Sequence, residues 1–289
     1  MYPSRFAYES PKTLEEAIAI LDAANGDAKI LAGGQSLVPM LKLRFAFPEK
    51  IVDINNIPGL NHITFDADGT LHIGALVRHE ELEFSAEIAK KQPTIAAAAP
   101  LVADPIVRTR GTFVGSVCHA DPQGDWAAAM IALGGHIVIQ GPKGKRTVEM
   151  KDFVLGPYTN ALNYNEIAIE AVIPAPQGAA KGGYLKLERR VGDFATASVA
   201  VALDMDGAKV LRAGIALAGV GGKTIDANDA ASFLVGKDLT EANINEVADL
   251  VAAKAEPKSD HRGSSDYKRQ IVRTFVKRIL SANATQKAA

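Results

Sequence analysis

The sequence predicts an α+β protein in two parts, and three observations carry that expectation. Over residues 1–176, short apolar runs of strand character alternate with stretches of helical periodicity, and the chain turns twice through glycine-punctuated segments. Pro174-Ala175-Pro176-Gln177-Gly178, continuing through Gly182-Gly183, then reads as a linker. Beyond it come long strand-like runs followed by amphipathic stretches, an order that suggests an antiparallel sheet with helices on one face. The expected domains are therefore 1–176, with subdomains of about 1–56 and 57–176, and 177–289.

The elements follow in order. Thr13 with Glu16 three residues later is a capping-box pattern. Leu14, Ala17, Ile18 and Leu21 recur at helical spacing until Asn25-Gly26 ends the helix. Residues 29–31 and 50–54 read as strands that close a small α/β unit. Ile63 and Phe65, then Leu71 and Ile73, alternate around Asp68-Gly69 as a hairpin. Residues 78–89 and 93–103 read as helices, the second alanine-rich and ended by Asp104-Pro105. A buried helix is expected over 126–133, a hairpin over 136–140 and 146–149, and a strand over 166–173. After the linker, strands are expected over 184–190, 195–205 and 209–218, a three-stranded antiparallel sheet. Helices follow at 226–235, 240–255 and 266–282; the last places Ile271, Val272, Phe275, Val276, Ile279 and Leu280 on one stripe.

Composition excludes several functions. With 47% apolar and 22% charged residues among 289, the chain can bury a full core. A net charge of −1 offers no electrostatic reason for a nucleic-acid or anionic-membrane partner. One cysteine, Cys118, rules out an intrachain disulfide and an iron–sulfur cluster built from this chain alone. No transmembrane segment or signal-peptide core is read in the sequence, so a cytoplasmic chain is expected. Gly219-Val220-Gly221-Gly222-Lys223-Thr224 contains Gly-Lys-Thr, but the Walker pattern needs a glycine where Leu217 stands, so a strand-to-helix turn is expected. The six histidines show no metal spacing, and His119 with Asp121 is not read as a metal site.

Chemistry concentrates in two stretches. The first is Leu31-Ala32-Gly33-Gly34-Gln35-Ser36-Leu37, between an apolar run and an amphipathic one. Adjacent glycines permit positive φ and leave no Cβ in the way of a ligand. Successive amides in such a turn can form an anion nest, flanked here by the side-chain donors of Gln35 and Ser36. An ordinary turn between two strands has the same composition. The second stretch runs from Arg108 through Gly111-Thr112-Phe113-Val114-Gly115-Ser116-Val117-Cys118 to Asp121-Pro122-Gln123-Gly124-Asp125. Two such loops can hold the two ends of a diphosphate, and an Asp can accept hydrogen bonds from ribose hydroxyls.

In this order and spacing the pair resembles the FAD-binding medium subunit of the molybdenum hydroxylases, the family of aerobic carbon monoxide dehydrogenase and xanthine dehydrogenase. Ala32 to Ser36 is similar to its Ala-Gly-Gly-x-Ser motif, and Arg110-Gly111-Thr112 to its second motif. Pro48, Val52-Asp53-Ile54, Tyr184-Leu185-Lys186-Leu187, Gly192-Asp193-Phe194-Ala195-Thr196-Ala197 and Arg262-Gly263-Ser264-Ser265-Asp266-Tyr267-Lys268 extend the likeness over nearly the whole chain. The resemblance implies a two-subdomain FAD domain of the vanillyl-alcohol-oxidase/PCMH type, followed by a carbon monoxide dehydrogenase flavoprotein C-terminal-like domain.

By position it implies that Ala32 to Ser36 and Gly111 to Ser116 hold the FAD diphosphate, with Leu31, Leu37, Val114 and Cys118 in the same loops. Asp125 would contact the adenosine ribose. Leu101, Val102 and Leu162 would pack on the adenine side or the ring. Lys186 would reach the pyrimidine edge of the ring, and Phe194 would lie near it. The implied function is an electron-transfer flavoprotein subunit that takes electrons from two [2Fe–2S] clusters in a small partner chain. The molybdenum cofactor would sit in a large partner chain, and the assembly would be a dimer of heterotrimers feeding a terminal electron acceptor. A self-sufficient FAD-dependent oxidase or dehydrogenase of the same fold, and a non-enzymatic module on a degenerate flavin fold, stay open. One departure bears on the second loop: Phe113-Val114-Gly115 stands where the family has Ile-Gly-Gly. If that geometry needs positive φ at Val114, the loop must shift or lose a main-chain approach at about 1–3 kcal/mol.

Overall fold

The computed structural model describes residues 2–284. Its first layer is a three-stranded parallel sheet of β1 (Ala7–Glu9), β2 (Ala28–Leu31) and β3 (Lys50–Asp53), in the order β1-β3-β2. Between β1 and β2 runs α1 (Leu14–Ala23). Its capping box is complete: Thr13 Oγ1 accepts from the Glu16 amide, and the Glu16 carboxylate accepts from the Thr13 amide. Ala17, Ile18 and Leu21 are its buried stripe. The first glycine segment leads directly from β2 into α2 (Leu37–Lys42).

A five-stranded antiparallel sheet follows, ordered β4-β5-β10-β6-β7, from β4 (Ile63–Phe65), β5 (Leu71–Gly74), β6 (His136–Gly141), β7 (Gly144–Glu149) and β10 (Ile167–Ile173). Helices α3 (His79–Glu83), α4 (Ala86–Lys91), α5 (Pro93–Ala98), α6 (Pro105–Arg108), α7 (Phe113–His119) and α8 (Asp125–Leu133) lie between β5 and β6. The short elements α9 (Met150–Phe153), β8 (Val154–Gly156) and β9 (Thr159–Asn160) precede β10. Every residue of α8 is buried, which its sequence Asp-Trp-Ala-Ala-Ala-Met-Ile-Ala-Leu permits because the alanines let neighbours approach.

The expected helix over 78–89 is two helices. The chain breaks at Phe84-Ser85, where Ser85 Oγ accepts from the Ile88 amide and caps α4. The stretch 93–103 is α5 followed by a 3₁₀ turn over Ala99–Leu101, because Pro100 has no N–H to give an α-helix.

The third sheet contains β11 (Ala179–Leu187), β12 (Ala197–Asp206), β13 (Lys209–Ala218) and β14 (Ile225–Asp226), antiparallel in that order. After it come α10 (Asn228–Ala231), α11 (Glu241–Lys254) and α12 (Ser265–Ala284). The expectation of three strands with helices on one face is corrected: β14 adds a fourth, and both faces are covered. Val199, Val201 and Leu203 of β12 pack with Val247, Val251, Val276 and Leu280 of α11 and α12. Ala200 and Ala202 join Ala216 and Ala218 of β13 in the other core, with α5 and α8. Alternation along a strand sends its two sets of side chains to opposite faces. Small residues line the α8 face because the approach is close: a Cβ on Gly214 would stand 1.9 Å from Ala132 O.

Candidate functional site

β2 delivers the chain to Ala32, whose carbonyl accepts from Asn55 Nδ2 at 2.8 Å. Gly33 is buried against the second glycine segment, where a Cβ would lie 2.3 Å from Arg110 O and 2.7 Å from Gly111 Cα. No residue with a side chain fits there without moving backbone. Gly34 takes a φ of +73°, the left-handed region that glycine adopts without cost. Its carbonyl accepts from the Val38 amide and opens α2. Among the described residues, the N–H groups of Gly33, Gly34, Gln35, Ser36 and Leu37 have no hydrogen-bond acceptor. Gly33 is buried, Gly34, Ser36 and Leu37 are half-buried, and Leu37 opens α2, so the row offers consecutive main-chain donors to whatever meets this turn, in the manner of an anion nest. Leu31, Ala32, Ser36 and Leu37 are half-buried, and Gln35 is exposed with its Nε2 turned back on Gly33 O.

The second glycine segment is helical rather than a loop. Thr112 caps α7, its Oγ1 accepting from the Gly115 amide at 3.2 Å. A Cβ on Gly115 would stand 2.4 Å from that oxygen, which explains the glycine. The Gly111 amide donates to Val107 O and the Phe113 amide to Val77 O. Val114 is in the first helical turn, does not adopt positive φ, and is 2% exposed. The condition for a displaced loop at Val114 is not met: the position is helical, which valine adopts, and its side chain fills core. Ser116 is half-buried on the same helix. Cys118 has its thiol pushed up to about 12 by burial, and its carbonyl accepts from Asn160 Nδ2. Asn160 Oδ1 in turn accepts from the Leu162 amide, which ties Leu162 to the end of α7.

His79 braces this segment from behind. Its ring stands 2.8 Å from where a Cβ on Gly111 would be, and its Nδ1 accepts from Trp126 Nε1 at 3.0 Å. Burial, then the Arg108 and Arg78 charges, push the imidazole down to about 4. It is neutral at physiological pH, as an acceptor from indole requires.

Asp125 and Lys186 meet, but with each other. Lys186 Nζ lies 3.2 Å from Asp125 Oδ2 and 3.4 Å from Glu188 Oε2, with the Lys186 side chain 1% exposed. It also donates to Leu101 O at 2.8 Å. Asp125 Oδ1 accepts from Tyr184 OH. Burial pushes the Asp125 carboxyl up against the opposing pull of Lys186, and pushes the Tyr184 phenol up as well. Both Asp125 oxygens thus have partners within the chain. Lys186 touches the Leu101–Val102 segment through a carbonyl; Leu101 is half-buried and Val102 is 6% exposed.

Phe194 is 47% exposed on the turn after β11. That turn is held by Arg262, whose Nη1 donates to Phe194 O at 2.9 Å and whose Nη2 lies 3.5 Å from Asp193 Oδ1. A Cβ on Gly192 would stand 3.1 Å from the Asp104 backbone N, so the turn lies against the residues just after Leu101–Val102. The structure thus brings the two glycine segments together, and separately brings Leu101, Asp125 and Lys186 together. Sequence reasoning missed Asn55, Arg78, His79 and Glu188, which belong to no motif. Among the described residues no group of three or more His, Cys, Asp or Glu is placed to hold a metal, and no helix is long and apolar enough to cross a membrane.

A row of main-chain donors at residues 33–37, packed against a second glycine segment so closely that no Cβ fits at Gly33, is the arrangement of a phosphate-binding turn. Residues 4–176 match the FAD binding domain in molybdopterin dehydrogenase, and residues 183–282 the CO dehydrogenase flavoprotein C-terminal domain. The carbon monoxide dehydrogenase medium chain of Hydrogenophaga pseudoflava is 42% identical over 98% of each chain. The glyceraldehyde dehydrogenase medium chain of Sulfolobus acidocaldarius is 36% identical over 96% of this chain and 97% of that one. A solved structure of carbon monoxide dehydrogenase from Hydrogenophaga pseudoflava, lacking the Mo-pyranopterin moiety of its molybdenum cofactor, superposes with a TM-score of 0.93 at 42% identity over 98% of each chain. The chain belongs to the FAD-binding medium subunits of the molybdenum hydroxylases, the carbon monoxide dehydrogenase and xanthine dehydrogenase family. It is an oxidoreductase subunit and its cofactor is FAD.

Proposed function

We propose that the chain carries electrons from [2Fe–2S] clusters in a small partner chain to an external acceptor, within a dimer of heterotrimers located in the cytoplasm. A large partner chain would hold the molybdenum cofactor and hydroxylate carbon monoxide, an aldehyde or an N-heterocycle. The observation that carries the reading is the row of unpaired amides over residues 33–37, set against Arg110-Gly111. These residues fit a diphosphate: the donors are main-chain, the approach is free of Cβ atoms, and α7 begins beside them. Bound FAD supplies a ring that takes up and gives up electrons.

The remaining roles fall to this chain's own groups. Ala32 to Ser36 bind the diphosphate through main-chain amides, and Gly111 to Ser116 line its other side, most of their own amides being bonded within the chain. Leu101, Val102 and Leu162 exclude water on the apolar side, and Phe194 covers an exposed edge. Asp125 and Lys186, expected at the adenosine ribose and the pyrimidine edge of the ring, are bonded to each other, to Tyr184 and to Leu101 O, and act through Leu101. The protein positions its cofactor and does no acid–base chemistry on the substrate. A self-sufficient oxidase is not favoured, since the relatives are medium chains. The degenerate-module reading rested on Val114, which is helical. Purified chain should be yellow, or turn yellow with stoichiometric FAD; a colourless protein that resists reconstitution contradicts the reading. Assaying the co-purified assembly with carbon monoxide, aldehydes and heteroaromatics then separates the substrate classes.

A further inference from the structure

The two cradles are joined by side chains outside both motifs. Asn55 Nδ2 donates to Ala32 O at 2.8 Å, and Asn55 Oδ1 accepts from Arg78 Nη2 at 2.7 Å. Arg78 Nη1 donates to Arg110 O at 2.6 Å. Arg110 O is the atom 2.3 Å from the Cβ position of Gly33. The contacts therefore close a ring: Ala32-Gly33 against Arg110, Arg110 to Arg78, Arg78 to Asn55, and Asn55 back to Ala32. Each member is anchored. The Asn55 amide and Nδ2 both donate to Asp53 Oδ1, while Tyr8 OH donates to Asp53 Oδ2. The Arg78 amide donates to Glu81 Oε2 at the start of α3, and Arg78 forms an isolated bridge with Thr112.

Peptide planarity gives the ring its consequence. The Ala32 carbonyl and the Gly33 N–H share one plane and point opposite ways. Holding Ala32 O toward Asn55 fixes the Gly33 N–H on the other side, as the first donor of the unpaired row. The guanidinium of Arg78 has neutral oxygens as its hydrogen-bond partners, and among the described residues no carboxylate lies within ion-pair distance of it. Glu81, Asp53 and Glu80 act on it from beyond contact distance, and what remains of its charge adds to the positive potential beside the cradle. A planar fork spans two acceptors at fixed spacing, which a lysine ammonium does not.

We propose that Asn55 and Arg78 are positioning residues that clamp the main-chain cradle of residues 33–37 against the second glycine segment in the arrangement that binds a diphosphate, with Arg78 adding positive charge. The proposal rests on the reading that FAD occupies these cradles. The test titrates the full-length, FAD-free chain with FAD, following flavin fluorescence, for wild type, Arg78→Gln, Arg78→Lys and Asn55→Ala. Far-UV circular dichroism and the thermal midpoint before FAD addition check the fold. Arg78→Gln should weaken FAD by about tenfold or more, and Asn55→Ala by about three- to tenfold. Arg78→Lys should recover part of the affinity, and only Arg78→Gln should flatten the dependence of affinity on salt. Folded variants that bind FAD within about twofold of wild type overturn the clamp. An Arg78→Lys as weak as Arg78→Gln, with the same salt slope, overturns the charge contribution. If Arg78→Gln does not fold, Arg78→Lys and Asn55→Ala decide the matter. A wild type that binds no FAD instead overturns the FAD assignment on which the clamp depends.

Discussion

The first glycine cradle and the Asp125–Lys186 cluster treat polar groups in opposite ways. In the cradle, the amides of residues 33–37 have no acceptor within the described residues and are proposed to meet the FAD diphosphate. In the cluster, Asp125, Lys186, Glu188 and Tyr184 are turned on one another, and the Lys186 side chain is 1% exposed. A row of partly exposed donors is free to meet a ligand. A buried charge cluster holds the structure whether or not a ligand is present. The difference teaches that the proposed recognition element keeps its donors open, whereas the cluster locks β11 of the C-terminal sheet to the start of α8 and to Leu101.

Four changes test that division. The largest effect should come from Lys186→Met, which leaves Asp125 and Glu188 buried without their cation. Stability should fall by about 3–5 kcal/mol in denaturant titration. FAD affinity in the surviving folded fraction should change far less, and a selective loss of FAD would break the comparison. Gly33→Ala should do the reverse in emphasis. It forces backbone of the two cradles apart, costs about 3 kcal/mol, and weakens FAD by about a hundredfold in the same fluorescence titration.

Acid should loosen the brace behind the second cradle. His79 is held down to about 4 against an ordinary 6.5, so its contribution is fully present above pH 6.5. It is lost as pH falls from 6.5 toward 4, because the unfolded chain takes up a proton that the native one refuses. That loss should reach about 2–3 kcal/mol in thermal melts across this window, and His79→Gln should flatten it. Smallest, Val114→Gly should cost about 2 kcal/mol of stability from lost core and helix propensity. It should not tighten FAD; a gain in affinity would show that the cradle does need a glycine there.

These contrasts also show what was legible in the sequence. Gly33 and Gly34 announced a main-chain site because the missing side chain is the functional feature, and that feature is written in the residue type. The capping box at Thr13 and Glu16 was legible for the same reason, being local. The partners of Asp125 and Lys186 were not legible: the two are 61 residues apart and meet only after the third sheet packs on α8. Arg78 and Asn55 were invisible because each looks like an ordinary polar residue beside a strand or helix end, and their ring closes through carbonyls. The helical state of Val114 was missed because glycine punctuation read as loop, while Thr112 was capping a helix. The second covered face of the C-terminal sheet had a signal in Ala197–Asp206, where apolar residues run on both faces from Val199 to Leu203.

The most direct measurement is a crystal structure of the chain with FAD bound. The account predicts diphosphate oxygens within hydrogen-bond distance of the amides of Gly33, Gly34, Gln35 and Ser36, with α7 beginning on the opposite side. A diphosphate bound elsewhere, with those amides still unpaired, would contradict it.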